Sequence, residues 1–372
     1  MTVFKTMDDL DAYFYGPNAE EIMKEDFPLT TGTAGVYNRI YGRRIWLQLN
    51  TELNAFAIIP KEPWTYSGFR VFKSYLDPAN GIGETGAIPG SADVDARFAQ
   101  INGVIPKTLV HVFEVSDILE ELAARGDDII GEPLNALKEI FGLQHIRDMN
   151  VHLTTKVEAV NSVNPDSLDH IISSYSESTI TGVGAKADIY GINRSDSVNH
   201  EPWADAIVLH NNGTLRTLEL QLLDAAFQQV LAAGGMPKVI LTGYDTVMAI
   251  SQLLETSRRY VMPTARIQPT YNGVTGIEGT EGGFIVATYN GIPIIPSQHV
   301  QKDGAGSLSR IYFLDTDYLA FRVLRPTGYF EAGIRTGDPF VINKFTQKGL
   351  YRTVGELICR RFNVMAKIRD IQ

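Results

Sequence analysis

Residues 133–160 carry the longest apolar rhythm in the chain. Leu134, Leu137, Phe141, Ile146, Met149, Leu153, Val157 and Val160 recur mostly every three or four residues, the spacing of one helix face. Pro133 suits a first helical position, because its missing N–H costs nothing there. Asp127, Asp128 and Glu132 lie just ahead, where the positive end of the peptide dipoles favours them. The spacing predicts a helix over 133–160, on the order of 40 Å long at about 1.5 Å per residue. That exceeds what most domains need, so the segment reads either as a strut or as an ordinary core helix bent at Gly142, where the rhythm slips.

With 372 residues, 44% of them hydrophobic, the chain is long enough for two or three domains and a sizeable core. The opening MTVFKTMDDLDAYF has acidic residues where a signal peptide has its apolar centre. No apolar run approaches the roughly 18 residues of a membrane span, so the expected location is cytoplasm, or something assembled there, with no membrane partner. A single cysteine, Cys359, rules out an internal disulfide and reads as a structural thiol in a strand-like run. The net charge of −10 argues against a dedicated nucleic-acid reader while leaving room for a local basic face. Such a face is suggested by Arg39, Arg43, Arg44, Lys61, Arg70 and Lys73, which follow a mainly acidic start; a solvated face or a subunit contact accounts for them as well.

Taken in order, residues 1–60 offer short helical pieces broken by Gly16-Pro17 and Phe27-Pro28, which suits an arm lying on something else or a ragged N-terminal subdomain. Strands are expected at 67–75 and 108–115. Between them Pro78, Gly81, Gly83, Gly86, Pro89 and Gly90 mark a connection far longer than the usual limit of about 12–15 residues. It reads as a projecting β-hairpin arm. Ser116 can cap a helix over 117–125, and short helical and glycine-rich pieces fill 166–205. The cleanest α/β pattern follows: a strand at 206–210, a helix at 215–233, a strand at 239–242 and a helix through 254 capped by Asp245. Asn290-Gly291 between apolar runs predicts a type I′ hairpin over 284–297. Strands are then expected at 310–314, 318–324, 350–359 and 361–368.

Little in the chain carries catalytic chemistry. Gly81-Ile-Gly83-Glu-Thr-Gly86 matches the dinucleotide fingerprint by letter, but Pro and Asn precede it and Ala-Ile-Pro-Gly-Ser follows it, where a strand and a helix are needed. No cofactor is expected. The seven histidines show no zinc-ligand spacing; His145 and His152, two turns apart on the strut, read as buried or interface histidines before they read as metal ligands. Asp315-Thr-Asp317 lacks the rest of a calcium loop and reads as a turn. No nucleophile elbow, phosphate loop or HExxH is present, which shifts the weight from catalysis to contact.

The order of these segments resembles the major capsid proteins of tailed viruses, the Hong Kong 97 type of fold. An arm, a glycine-tipped hairpin, VSDILEEL, a strut helix and an α/β lobe follow one another, and the lobe contains PKVILTGYD, GIPIIPSQHV and IYFLDTDYLAFRVL in the family's order. The resemblance covers residues 30–372 and implies an α+β chain with four parts. These are an N-terminal arm (1–60), an extended loop (61–113), a peripheral domain (114–205 and 341–372) with the spine helix at 133–160, and an axial domain (206–340). It implies a structural protein, not an enzyme, that self-assembles into hexamers and pentamers of an icosahedral virion shell around double-stranded DNA, with a portal and scaffolding or decoration proteins as further partners. The covalent lysine cross-link of some members is not expected, since no lysine lies between Lys73 and Lys107.

On this reading Phe69, Arg70, Val71, Phe72, Ile88, Phe98 and Ile101 are the candidate subunit contacts, because a projecting hairpin cannot bury its apolar residues in its own core. Arg39, Arg43 and Arg44 face packaged DNA, through sequence-independent phosphate contacts, or pair with another subunit. Two alternatives stand beside it: an encapsulin-like compartment, and an α/β enzyme with a mobile lid at 76–100.

Overall fold

The computed structural model of the protein describes residues 54–75, 81–88, 90, 97–124, 133–155, 163–256, 288–333 and 345–372. Arg39, Arg43 and Arg44, with the rest of the expected arm up to residue 53, lie outside them, as do Val157 and Val160 of the expected strut. The described chain is α+β. Its helices are α1 (Asn54–Ile58), α2 (Asp117–Ala124), α3 (Pro133–Thr154), α4 (Leu168–Ile171), α5 (Tyr175–Ser178), α6 (Leu220–Ala232) and α7 (Tyr244–Thr256). Its strands are β1 (Lys61–Pro63), β2 (Phe69–Phe72), β3 (Phe98–Ile101), β4 (Lys107–Ser116), β5 (Ile207–Leu209), β6 (Val239–Thr242), β7 (Thr288–Tyr289), β8 (Ile292–Pro296), β9 (Ile311–Leu314), β10 (Leu319–Gly333), β11 (Thr346–Cys359) and β12 (Ala366–Ile368). They form a sheet of order β1-β10-β11-β4, a sheet of order β5-β12-β9-β6-β8-β7 and a two-stranded ribbon, β2-β3. No described helix is long and apolar enough to cross a membrane.

The chain divides into two compact units, one of them built on Val110–Ile146 and Thr327–Arg352. Its core is Phe113, Val115, Leu119 and Leu137, ringed by Leu134, Phe141, Tyr329 and Tyr351. Three of these, Leu134, Leu137 and Phe141, belong to the stripe that predicted α3. Phe113 stacks on Phe141 and Tyr329 at 5.0 and 6.2 Å between ring centroids, and a Cβ on Gly349 would sit 2.3 Å from the Phe113 ring, so only glycine lets the ring lie on β11. The helix continues through Gly142. A Cβ there would lie 3.3 Å from the Tyr351 hydroxyl, which donates to the Lys138 carbonyl at 2.9 Å, so this glycine serves a close approach and does not end the helix. One turn beyond Phe141, beside the stripe residue Ile146, His145 is fully buried, its Nδ1 2.8 Å from Nδ1 of His111, one imidazole donating to the other.

The other unit comprises Glu52–Leu109, Arg147–Pro326 and Thr353–Gln372. Its six-stranded sheet is buried on both faces, which explains why β9 reads Ile-Tyr-Phe-Leu with no polar alternation. Ile311 and Phe313 point to a core shared with Leu223, Ala226 and Val230 of α6 and Ile250 of α7; Tyr312 and Leu314 point to a second core with Leu168, Ile171, Leu357 and Phe362. Neighbours β6 and β8 are parallel, joined through α7, while β9 runs antiparallel to both β6 and β12. The Asn-Gly turn forms as expected: Tyr289 pairs with Ile292, and Asn290 and Gly291 have φ of 50° and 80°. Residues 284–287 of that expected hairpin lie outside the described residues.

Several expected boundaries are corrected. The helix expected from 215 begins at Leu220, because Arg216 and Leu218 donate their amides to the carbonyls of Asp370 and Gln372 and run extended beside the C-terminal residues, Arg216 forming an isolated bridge to Ile371. The strand expected at 361–368 shrinks to β12, since Met365 closes a turn onto the Phe362 carbonyl. β10 outruns its expected end at 324: β1 pairs only with Phe321, Arg322 and Val323, so Pro326 falls where that side no longer needs an N–H.

Cys359 is wholly buried, and burial pushes its thiol up to about 12. Native protein is therefore expected to leave a disulfide reagent unreacted at pH 8, while the urea-unfolded chain titrates one thiol; release of colour from folded protein would contradict this burial.

Candidate assembly surfaces

Period-two alternation sorts the ribbon into two faces. Phe69 pairs with Ile101 and Val71 with Ala99 on one face; Arg70 pairs with Gln100 and Phe72 with Phe98 on the other. Ile101 is 2% exposed and part of the subunit's own core, and Phe69 and Val71 pack against that core. The expectation that these three apolar residues find no burial in their own molecule is thus corrected: the ribbon's inner face lies on the body. Its outer face does not. Phe72 and Phe98 form an edge-to-face pair at 5.1 Å and remain 44% and 49% exposed, beside the exposed Arg70.

Beyond the ribbon, every described tip residue, 81–88 and 90, is exposed, and Ile88 reaches 90%. A Cβ on Gly81, Gly83 or Gly90 would meet nothing within 4 Å. The Gly81–Gly86 run contains a turn, with the Gly86 amide donating to the Gly83 carbonyl at 2.8 Å. In the unit built on Val110–Ile146, an apolar row is also exposed: Val110, Val112, Phe330 and Phe345. Isolated apolar side chains on a surface need no explanation, but a tip exposed at every described residue and an outward aromatic pair do.

Two buried charge clusters brace the second unit, and sequence reasoning missed both. Asp169 of α4 accepts from Arg310, from Lys367 at 2.9 Å and from the Tyr312 hydroxyl at 3.1 Å. Glu177 of α5 takes Lys367 at 2.7 Å and Arg369 at 2.7 Å, and Asp303 takes Arg310 and Arg369, each at 2.9 Å. Burial pushes the Asp169 carboxyl up, but the charges of Arg310 and Lys367 outweigh it and hold the group far below the usual carboxylate range. In the second cluster Lys107, at the start of β4, lies 3.0 Å from Glu356 Oε2 and 3.5 Å from Asp166 Oδ1. Asp166 also meets His170 Nδ1 at 2.9 Å. The signal available in sequence was a charge inside an apolar strand, as in Ala366-Lys367-Ile368 or Gly355-Glu356-Leu357. Among the described residues no group of three His, Cys, Asp or Glu side chains is placed to hold a metal ion.

These features belong to a subunit organised for contact, and comparison with known proteins agrees. The family model described as SU10 major capsid protein matches residues 111–340, more than half of the chain. No curated protein matches. Among solved structures, the capsid asymmetric unit of cyanophage A-1(L) is similar with a TM-score of 0.61 and 16% identity, over 88% of this chain and 95% of that one. The capsid of a native GTA particle gives a TM-score of 0.53 at 13% identity, over 88% and 92%. An encapsulin complex from Synechococcus elongatus gives 0.49 at 13% identity over 91% and 95%, too distant to weigh. At these identities the structural likeness establishes the fold, which is of the Hong Kong 97 type. The family match, spanning β4 through β10, carries the rest: this chain belongs to the SU10 major capsid protein family and is a structural protein of an icosahedral virion shell.

Proposed function

We propose that copies of this chain close the shell as hexamers and pentamers around the double-stranded DNA of a tailed virus, each extended loop lying across the next subunit. The observation that carries this reading is the loop itself, anchored at its root and exposed at every described residue of its tip. Phe72, Ile88 and Phe98, flanked by Arg70, are the apolar surface that a neighbour covers. Interlaced obligate interfaces of this kind bury about 2,000–5,000 Å², so the stability of subunit and shell become one quantity. The arm (1–60), loop (61–113), peripheral (114–205 and 341–372) and axial (206–340) assignments belong to the same reading, with the axial part around fivefold and sixfold positions. Arg39, Arg43 and Arg44 serve non-specific phosphate contacts or pairing between subunits. Portal, scaffolding and decoration proteins are the expected further partners, assembly takes place in the host cytoplasm, and the chain has no catalytic task.

Negative-stain microscopy of the expressed chain tests this. Closed shells are the expected result, and those recovered from infected cells hold nuclease-protected DNA. Shells holding a protein cargo would move the reading to an encapsulin-like compartment. A stable small species that turns over a substrate would return it to an enzyme with a lid at 76–100.

A further inference from the structure

The limb that brings the extended loop back to the body, residues 101–107, is held in two different ways. Ile101 and Val104 are core residues, and a Cβ on Gly103 would lie 2.2 Å from the Tyr190 carbonyl oxygen, so the limb is pinned by packing as far as Val104. Beyond that the packing stops. Ile105 is 59% exposed, and Ile105, Pro106 and Lys107 border a cavity of about 420 Å³ whose opposite wall includes Asp166, His170 and Tyr190. The cavity opens to solvent, so on that side this stretch lacks the dispersion contacts that would hold it in one place.

What spans the gap is ionic. The Lys107 ammonium, with its side chain 12% exposed, sits between the Asp166 carboxylate and the carboxyl group of Glu356 of β11, which burial and the Asp166 charge push up to about 8. Both acids are set from beneath: one Glu356 oxygen accepts from the amides of Asp166 at 2.7 Å and Leu357 at 2.9 Å, and Asp166 is held by His170. The acceptors are preorganised, and the lysine is the movable partner on a four-carbon stem. We propose that Lys107 is the positioning residue for the root of the extended loop: its clamp between Asp166 and Glu356, beside the cavity bordered by Ile105 and Pro106, fastens the return limb where its packing stops, and so keeps the root seated for the tip to reach the next copy. The consequence for assembly rests on the shell reading; the clamp does not, and is measured on the unassembled subunit.

The test compares wild type, Lys107→Met and Lys107→Arg, full chain, by hydrogen exchange of unassembled subunits and by shell yield in microscopy. In K107M the amides of 98–105 are expected to exchange about tenfold faster while those of β9 and 357–359 keep their rates, and closed shells are lost. K107R restores both, since a guanidinium also spans two carboxylates and the cavity has room for it. Unchanged exchange at 98–105, or a rise of equal factor in β9, overturns the proposal. So does a K107R variant that behaves as K107M. Should K107M not fold, Asp166→Asn decides: it keeps an Oδ1 acceptor and removes the charge facing Lys107, so the same local rise is expected, and wild-type exchange there overturns the clamp. If wild type itself closes no shells, the shell reading fails, and the exchange result still judges Lys107.

Discussion

Replacing Asp169 with asparagine will cost the isolated subunit about 3–5 kcal/mol of folding stability, the range found when one partner of a buried ion pair is removed. Asp169 is 5% exposed and is the shared acceptor of Arg310, Lys367 and Tyr312. Asparagine fills nearly the same volume but offers no charge, so two cations stay buried with Glu177 and Asp303 as their remaining partners. Since whole domains are stable by about 5–15 kcal/mol, this one atom change can empty the folded state at growth temperature. Urea unfolding of unassembled subunits measures it; a loss under about 1 kcal/mol would show the cluster to be dispensable. The pH dependence has a definite sign. The folded-state pKa of Asp169 lies below its unfolded value of about 4, so its contribution is complete above pH 4 and drains away as pH falls below that value. Wild type should therefore lose stability below pH 4 more steeply than the asparagine variant.

Deleting residues 78–93 and joining the ends with a short glycine-serine linker will leave a folded subunit that closes no shells. Every described residue of that segment is exposed, Ile88 at 90%, and a Cβ on Gly81, Gly83 or Gly90 would meet nothing within 4 Å. Shortening a surface loop changes closure entropy by only about 0.6 kcal/mol per halving of its length, so the melting temperature should move by a few degrees at most. The loss falls on assembly, where Ile88 and the Phe72–Phe98 edge lose their cover. Calorimetry and microscopy of the same preparation read both halves. An unfolded product would mean that the loop is core, and normal shells would mean that it takes no part in closure.

How much of this was open to sequence reasoning varies with the length scale of the interaction. Signals spanning a few residues were legible. The stripe at Leu134, Leu137 and Phe141 predicted α3, the Asn290-Gly291 pair predicted its turn, and the glycines and prolines between 78 and 90 marked a segment whose described residues, 81–88 and 90, are all exposed. The order of such segments also sufficed to suggest the family. Signals that depend on a distant partner were not legible. The start of α6 was misplaced because the C-terminal residues, far along the chain, take the backbone hydrogen bonds of Arg216 and Leu218. Phe69, Val71 and Ile101 looked like surface because alternation shows that a ribbon has two faces but not which one lies on the body.

The sequence by itself determined the local elements and their order, since propensity, periodicity and turn chemistry act within a turn or a strand of the residue concerned. Only the tertiary structure decided where the charges inside the apolar runs go. Lys367, Glu356 and Asp169 are affordable in a core solely because folding brings Asp169 within 3 Å of Lys367, and Lys107 within 3.0 Å of Glu356. An ion's burial is favourable or ruinous according to a partner that lies hundreds of residues away, and nothing in its own neighbourhood of sequence names that partner.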